Sequence, residues 1–215
     1  MTTFESLTNL FDVESFHFNL TDQEDIIRST VHLVIDVQRE YADPEHSARR
    51  GNPQTVATAH HISTLVPQFR EAGLKTYWIY YFGLEENRNK PEKCGGGFYK
   101  NTPASNDELV PKNDSSAFEG SDIKARLLSA DIKTLLVSGF NAGSCVKRTV
   151  LDGLSEGFKV CVLSDGVGND NYNCNYVETD LKIMEAEGAI IKTSSQALCE
   201  IQMLKEHPCY QGPSA

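Results

Sequence analysis

The apolar run Val31-His32-Leu33-Val34-Ile35 stops abruptly at Asp36. Runs of the same kind follow at Thr76 to Phe82, Thr134 to Val137, Lys159 to Leu163 and Ala189 to Ile191, each rich in β-branched or aromatic residues and bounded by Gly or polar positions. Their length and composition predict strands. Near-continuous apolarity, without alternation, predicts strands covered on both faces. Between them lie segments of helical length: Gln54 to Glu71, Asp122 to Ser129, Val146 to Glu156, Tyr176 to Glu187 and Ser195 to Lys205. Gly73, Gly157 and Gly188 follow three of these, where a left-handed C-terminal stop is wanted. Strand alternating with helix predicts an α/β fold, a three-layer α-β-α sandwich around a mainly parallel sheet.

Two stretches fall outside this rhythm. Gly83 to Lys112 is polar and Gly-rich with no period, so it is read as a long connection of the kind that forms binding loops or lids. Residues 1 to about 30 have mixed polarity and no period, and are read as an N-terminal extension. With no repeat, low-complexity tract or linker, residues 1–215 are expected to form a single domain.

Composition narrows the partners. Forty per cent hydrophobic and 23% charged residues over 215 positions are ordinary for a globular chain with a sizeable core. A formal charge of −10, from 20 Lys and Arg against 30 Asp and Glu, argues against a nucleic-acid or anionic-membrane surface. It favours a small neutral or cationic substrate. Six cysteines, at 94, 145, 161, 174, 199 and 209, show no CxxC pair and no metal-ligand rhythm. Free thiols in a reducing compartment are the simpler reading. The N-terminus lacks the basic-then-apolar pattern of a secretory signal, and no apolar run approaches the ~20 residues of a membrane span. A cytoplasmic protein is expected.

In a parallel sheet the ligand crevice lies beyond the C-terminal ends of the strands. Asp36 stands at such an end, although position alone equally suits a solvated carboxylate or a helix cap. Cys145 follows a strand through Gly139-Phe140-Asn141-Ala142-Gly143-Ser144 and precedes a helix. Backbone N–H groups and the helix dipole there favour thiolate over thiol, and can receive charge developing on a carbonyl oxygen. An inert packed thiol is the alternative, and Cys161 inside an apolar strand fits it better. Lys112, in Val110-Pro111-Lys112-Asn113-Asp114-Ser115-Ser116-Ala117-Phe118, is by itself an ordinary solvated lysine. It becomes a catalytic cation only if a cysteine and a carboxylate lie beside it.

These segments occur in the order and spacing of a known superfamily. Ile35-Asp36-Val37-Gln38-Arg39-Glu40-Tyr41 resembles the first-strand motif of the isochorismatase-like cysteine hydrolases, Lys112 with Ser116-Ala117-Phe118 resembles their lysine segment, and Gly139 to Val146 with Thr149 to Gly153 and Gly157-Phe158 resembles their nucleophile loop and helix. Ser164-Asp165 matches the acidic end of the next strand. The resemblance spans about Val31 to Ile191 and implies a Rossmann-like central sheet. It also implies Asp36 as general base, Lys112 as supporting cation and Cys145 as nucleophile, with a covalent acyl or carbamoyl enzyme released by water. It further implies an oxyanion hole from the backbone N–H groups of Asn141 and Cys145, and a cis bond between Phe140 and Asn141. Tyr41, Phe118, Phe140 and Asn141 are the corresponding pocket walls, though ordinary packing explains Phe118 equally well. A homo-oligomer, dimer or larger, is expected because the family commonly assembles.

Three departures qualify the likeness. Ala142 stands where the family usually has Thr. Lys147-Arg148 are unusually basic and are read as an exposed helix edge. Tyr81-Phe82-Gly83-Leu84-Glu85-Glu86-Asn87 replaces the short Asp-any-His element with which the family's nicotinamidases bind metal. His60 and His61, adjacent on a helix, point about 100° apart and do not suit a shared ligand set. No metal and no cofactor are expected. Cys94-Gly95-Gly96-Gly97 lacks a Gly-Lys-Ser/Thr ending and no strand feeds it, so a mobile loop with an exposed Cys94 is expected in preference to a phosphate cradle. The leading function is hydrolysis of a C–N bond in a small amide, ureide or carbamoyl compound. The alternatives are isochorismatase-type vinyl-ether hydrolysis, or a catalytically silent binding or scaffold protein on the same fold.

Overall fold

In a computed structural model, which describes residues 23–47 and 51–206, six strands form one sheet. They are β1 (Thr30–Ile35), β2 (Lys75–Tyr81), β3 (Glu108–Lys112), β4 (Thr134–Phe140), β5 (Lys159–Gly168) and β6 (Ile190–Lys192), in the order β3-β2-β1-β4-β5-β6, with every pairing parallel. Helices α1 (Gln23–Arg28), α2 (Arg39–Ala42), α3 (Pro53–Glu71), α4 (Ile123–Ser129), α5 (Lys147–Ser155), α6 (Val177–Ala186) and α7 (Ser194–Glu206) complete the outer layers. This is the three-layer architecture expected from the apolar runs.

The period-2 geometry of β1 explains why it reads as uninterrupted apolar sequence. Val31, Leu33 and Ile35 enter one core with Ile123 and Leu127 of α4, Val150 of α5 and Met184 of α6. Val34 points the other way, onto Ala59, Ile62 and Val66 of α3. Buried positions on α3 (Ala59, Ile62, Leu65, Val66, Phe69) recur at helical spacing along one face. Asn52 starts that helix: its side chain accepts from the N–H groups of Gln54 and Thr55, Thr55 Oγ1 accepts from the Asn52 N–H, and Pro53 occupies the first turn.

Several boundaries differ from expectation. The stretch 83–112 contains a strand, β3. Its charged ends and Pro111 conceal it in the sequence, and an edge strand tolerates a proline because one side of its ladder is unpaired. Strands β4 and β5 run three and five residues beyond the apolar runs that announced them. Asp165 lies inside β5 and does not reach the crevice: its two oxygens accept from Ser194 N–H and Oγ, 2.8 and 2.7 Å, capping α7. Of the expected N-terminal extension, residues 1–22 lie outside the described residues, while the described part forms α1, whose Ile27 is buried with Ala197 and Ile201 of α7.

The Gly-rich loop has a definite job. Carbonyls of Gly95 and Gly97 accept from the Glu40 and Arg39 N–H groups at 2.8 and 3.0 Å, so the loop caps the start of α2 with acceptors, the opposite polarity to a phosphate cradle. Gln38, 1% exposed, ties it down: Nε2 donates to the Cys94 and Tyr81 carbonyls and Oε1 accepts from the Tyr81 N–H. Cys94 is therefore buried, not exposed as expected, and its thiol donates to the carbonyls of Asn87 and Lys90. Cys94, Cys145, Cys161, Cys174 and Cys199 are free thiols, and Cys209 lies outside the described residues. Among the described residues no helix is long and apolar enough to cross a membrane.

Candidate active site

The strand order reverses between β1 and β4, the place where a parallel sheet offers a ligand crevice at the C-terminal ends of its strands. Asp36 occupies the first position after β1 with φ +50°, a left-handed conformation uncommon for a residue with a side chain, and its N–H donates to Ile79 O at 2.9 Å. The chain reverses there instead of extending β1, which leaves the carboxylate beside the end of the sheet. Lys112 closes β3, two strands away. Its stem is excluded from solvent and its Nζ lies 2.8 Å from Asp36 Oδ2 and 2.9 Å from Asp114 O, with the Tyr81 ring 5.6 Å from it. The lysine is not the solvated residue its isolated sequence would suggest.

Cys145 sits in a single π-helical turn, Ala142–Val146, between β4 and α5. Gly139 makes the approach possible. It pairs with Ile35, has φ +127°, and a Cβ there would lie 2.0 Å from Ile35 O, so only glycine lets β4 run this close to the residue before Asp36. The Phe140–Asn141 peptide bond is cis, and the Val146 N–H returns to Asn141 O at 3.1 Å. Thr149 Oγ1 of α5 accepts from the Ala117 N–H at 2.9 Å, locking the segment after Lys112 to the helix after Cys145.

The structure thus brings Asp36, Lys112 and Cys145 together, with the cysteine half-buried and the two charged partners fully buried. Its electrostatics differ from the thiolate expected at a helix start. Burial pushes the Cys145 thiol up to about 11, the Asp36 charge adds to that, and Lys112 and Ser144 offset it only in part. At neutral pH the group is a thiol. Burial alone would pull the Lys112 ammonium down, but Asp36 and then Cys145 outweigh it and hold it above its ordinary value. Apart from the ion pair, Asp36 accepts no hydrogen bond of regular geometry among the described residues, which leaves its oxygens available to the neighbouring thiol.

The other residues singled out in the sequence are placed as follows. Phe140 and Tyr41 are buried in the cluster under α3 with Trp78 and Val37. Phe118 packs on Phe158 with ring centroids 5.8 Å apart. The Asn141 side chain is engaged by Asp170, whose N–H donates to Asn141 Oδ1 at 2.9 Å. Ala142 is fully buried and carries no hydroxyl. Lys147 is no exposed edge: its Nζ meets Asp180 Oδ1 at 3.0 Å, and Asp180 is 6% exposed. Arg148 is half-exposed and faces Glu119 and Asp152. His61 lies 3.1 Å from Ser194 Oγ and 3.3 Å from Asp165. Among the described residues no group of three or more His, Cys, Asp or Glu side chains is arranged to hold a metal ion. A groove of about 360 Å³ runs between Asp114, Ser115 and Glu119 on one side and Gly143, Ser144 and Lys147 on the other.

An open six-stranded parallel sheet with a carboxylate, an ammonium and a thiol gathered at its switch point defines an α/β protein of the isochorismatase type. The chain belongs to that family: the isochorismatase domain matches residues 30–196. Among curated proteins it is 36% identical to N-carbamoylsarcosine amidase from Arthrobacter sp. over 67 residues, 31% of this chain and 25% of that protein. It is 30% identical to isochorismatase family protein 1B from Dictyostelium discoideum over 81 residues, 38% of each. The matched stretches thus span well under half of these relatives. Solved structures share the fold over most of the chain. A cysteine hydrolase from Pseudomonas syringae pv. phaseolicola superposes with a TM-score of 0.69 at 20% identity, covering 83% of this chain and 94% of that one. A pyrazinamidase from Pyrococcus horikoshii in complex with zinc superposes with a TM-score of 0.65 at 21% identity, covering 77% and 99%.

Proposed function

We propose that this isochorismatase-family hydrolase cleaves the C–N bond of a small amide, ureide or carbamoyl compound, with Cys145 as nucleophile. The observation that carries the reading is the buried Asp36–Lys112 ion pair bearing on the Cys145 thiol. A structural ion pair has no need of a reactive thiol at its side, and burying two charges is costly unless something is gained. The partial likeness to N-carbamoylsarcosine amidase points to the same class of bond.

The resting state is thiol, carboxylate and ammonium. Asp36 takes the Cys145 proton as sulfur bonds to the carbonyl carbon, and the carbonyl π electrons move to oxygen, held by the backbone N–H groups of Asn141 and Cys145. When the C–N bond breaks, the proton on Asp36 passes to the departing nitrogen. Water then adds to the thioester or thiocarbamate, giving its proton to Asp36, and the C–S bond breaks as that proton returns to sulfur. Lys112 pairs with Asp36 and offsets charge on sulfur during each transfer. No resident cofactor enters any step.

The test is a panel of small amides, ureides and N-carbamoyl compounds, with acid quench and mass measurement of the Cys145 peptide. A mass increment equal to the acyl or carbamoyl group, lost with time and missing in Cys145→Ala, is the expected result. Turnover that survives Cys145→Ala would overturn the proposal.

A further inference from the structure

The turn that carries Cys145 is restrained by side chains from two distant elements. Asn169, immediately after β5 and 1% exposed, accepts from the Gly143 N–H through Oδ1 at 2.9 Å. Its Nδ2 donates to Asn173 O at 3.1 Å and to Asp180 Oδ2 of α6 at 3.0 Å. Both amide hydrogens are thereby used, which fixes the orientation of the amide with its oxygen toward the turn. Asp180 in turn receives Lys147 Nζ on Oδ1. The turn is gripped two residues before Cys145, at Gly143, and two residues after it, at Lys147. The fit leaves no slack: a Cβ on Gly143 would lie 2.6 Å from Asp180 Oδ2.

We infer that Asn169 and Asp180 are positioning residues that hold the Gly143–Lys147 segment so that Cys145 stays seated on Asp36 and Lys112. This rests on the cysteine-hydrolase reading above. The network is polar and nearly closed to solvent, so each member left without its partner is costly, and that cost is what makes the geometry stiff. Ala142 supplies no hydroxyl to brace the turn from within, and the brace comes from β5 and α6 instead. The effect is one of place, because Lys147 and Asp180 are paired with one another at 3.0 Å while the acidity of Cys145 answers to burial, Asp36, Lys112 and Ser144.

The experiment measures carboxamidomethylation of Cys145 by iodoacetamide between about pH 7 and about pH 10, relative to the exposed Cys199 in the same molecule. Asn169→Asp keeps an acceptor for the Gly143 N–H, loses the donor to Asn173 O and sets a second carboxylate against Asp180, and Asn169→Ala removes all three contacts without adding charge. Each is made with and without Asp36→Asn. Expected is a changed pH dependence for Cys145 that no longer responds to Asp36→Asn, since the thiol has left its partners. The reciprocal pair Asn169→Asp with Asp180→Asn restores a donor–acceptor match between positions 169 and 180 while the Asn173 carbonyl stays without its donor, and is expected to bring the Cys145 rate part of the way back to the parent and to restore its response to Asp36→Asn. If the folded Asn169 variants lose only melting temperature while Cys145 keeps its parental profile and its full response to Asp36→Asn, the positioning role is overturned and the hydrolase reading stands. If Asp36→Asn has no effect in the parent protein, the hydrolase reading falls and the positioning role falls with it.

Discussion

Lys112 Nζ lies 2.8 Å from Asp36 Oδ2 with neither side chain more than 1% exposed, so each charge depends on the other for its place in the interior. Removing one partner strands the other. Asp36→Asn or Lys112→Met alone is expected to cost about 3–5 kcal/mol, whereas the two together cost much less because no charge is left unpaired. Urea unfolding of the two single variants and the double variant checks this through the sign of the coupling. Activity is expected to behave otherwise: under the proposed mechanism all three variants lose turnover, so recovered stability with lost turnover separates the structural part of the pair from its chemical part.

His32 gives the fold a pH dependence that has nothing to do with catalysis. It is fully buried in β1, Nε2 lies 2.8 Å from Ser138 Oγ, its Nδ1 has no partner, and Phe69 packs edge-on at 5.0 Å. Burial lowers it from 6.5 to about 3, and Asp107 offsets this only slightly. The folded state therefore refuses a proton that the unfolded chain accepts. The stabilisation is whole above about pH 6.5 and drains away as pH falls toward about 3. Moving from about pH 7.5 to about pH 5 is expected to cost the parent protein about 2 kcal/mol more than it costs His32→Leu, measured by urea unfolding at both pH values.

Gln38 joins the end of β2 to the Gly-rich loop by three hydrogen bonds, two to Tyr81 and one to Cys94. In Gln38→Ala these donors and acceptors lose their partner at a site closed to solvent. The loop is expected to open locally while the sheet stays folded. Cys94, now buried, should then be alkylated by iodoacetamide at least about tenfold faster than in the parent, with little change at Cys161 inside β5.

Much of this fold could be read from the chain because burial on both faces writes a strand as a solid apolar run, as in β1 and β2. The same rule fails where a strand is short, at the edge and proline-bearing, and so β3 passed as loop. It also fails at strand ends, where Ser138-Gly139 of β4 and Ser164-Asp165-Gly166 of β5 interrupt the apolar run before Phe140, Val167 and Gly168 resume the pairing. For the site, the resemblance named Asp36, Lys112 and Cys145 as one group, and the structure gathers them at one crevice. The ionisation of Cys145 was not legible, because a helix start favours thiolate while burial and a facing carboxylate oppose it, and only distances decide which wins. Asn169 and Asp180 were likewise missed. They are a loop amide and a helix carboxylate, and nothing in their local sequence says that Gly143 and Lys147 lie against them.

Asp36 and Lys112 act on the Cys145 thiol with opposite sign. The pH midpoint for alkylation of Cys145, followed by peptide mass against Cys199, tests it in the parent, Asp36→Asn and Lys112→Met proteins. Expected are a raised midpoint in the parent, a lower one in Asp36→Asn because the opposing carboxylate is gone, and a higher one still in Lys112→Met because the offsetting ammonium is gone. Equal midpoints in all three proteins would contradict it.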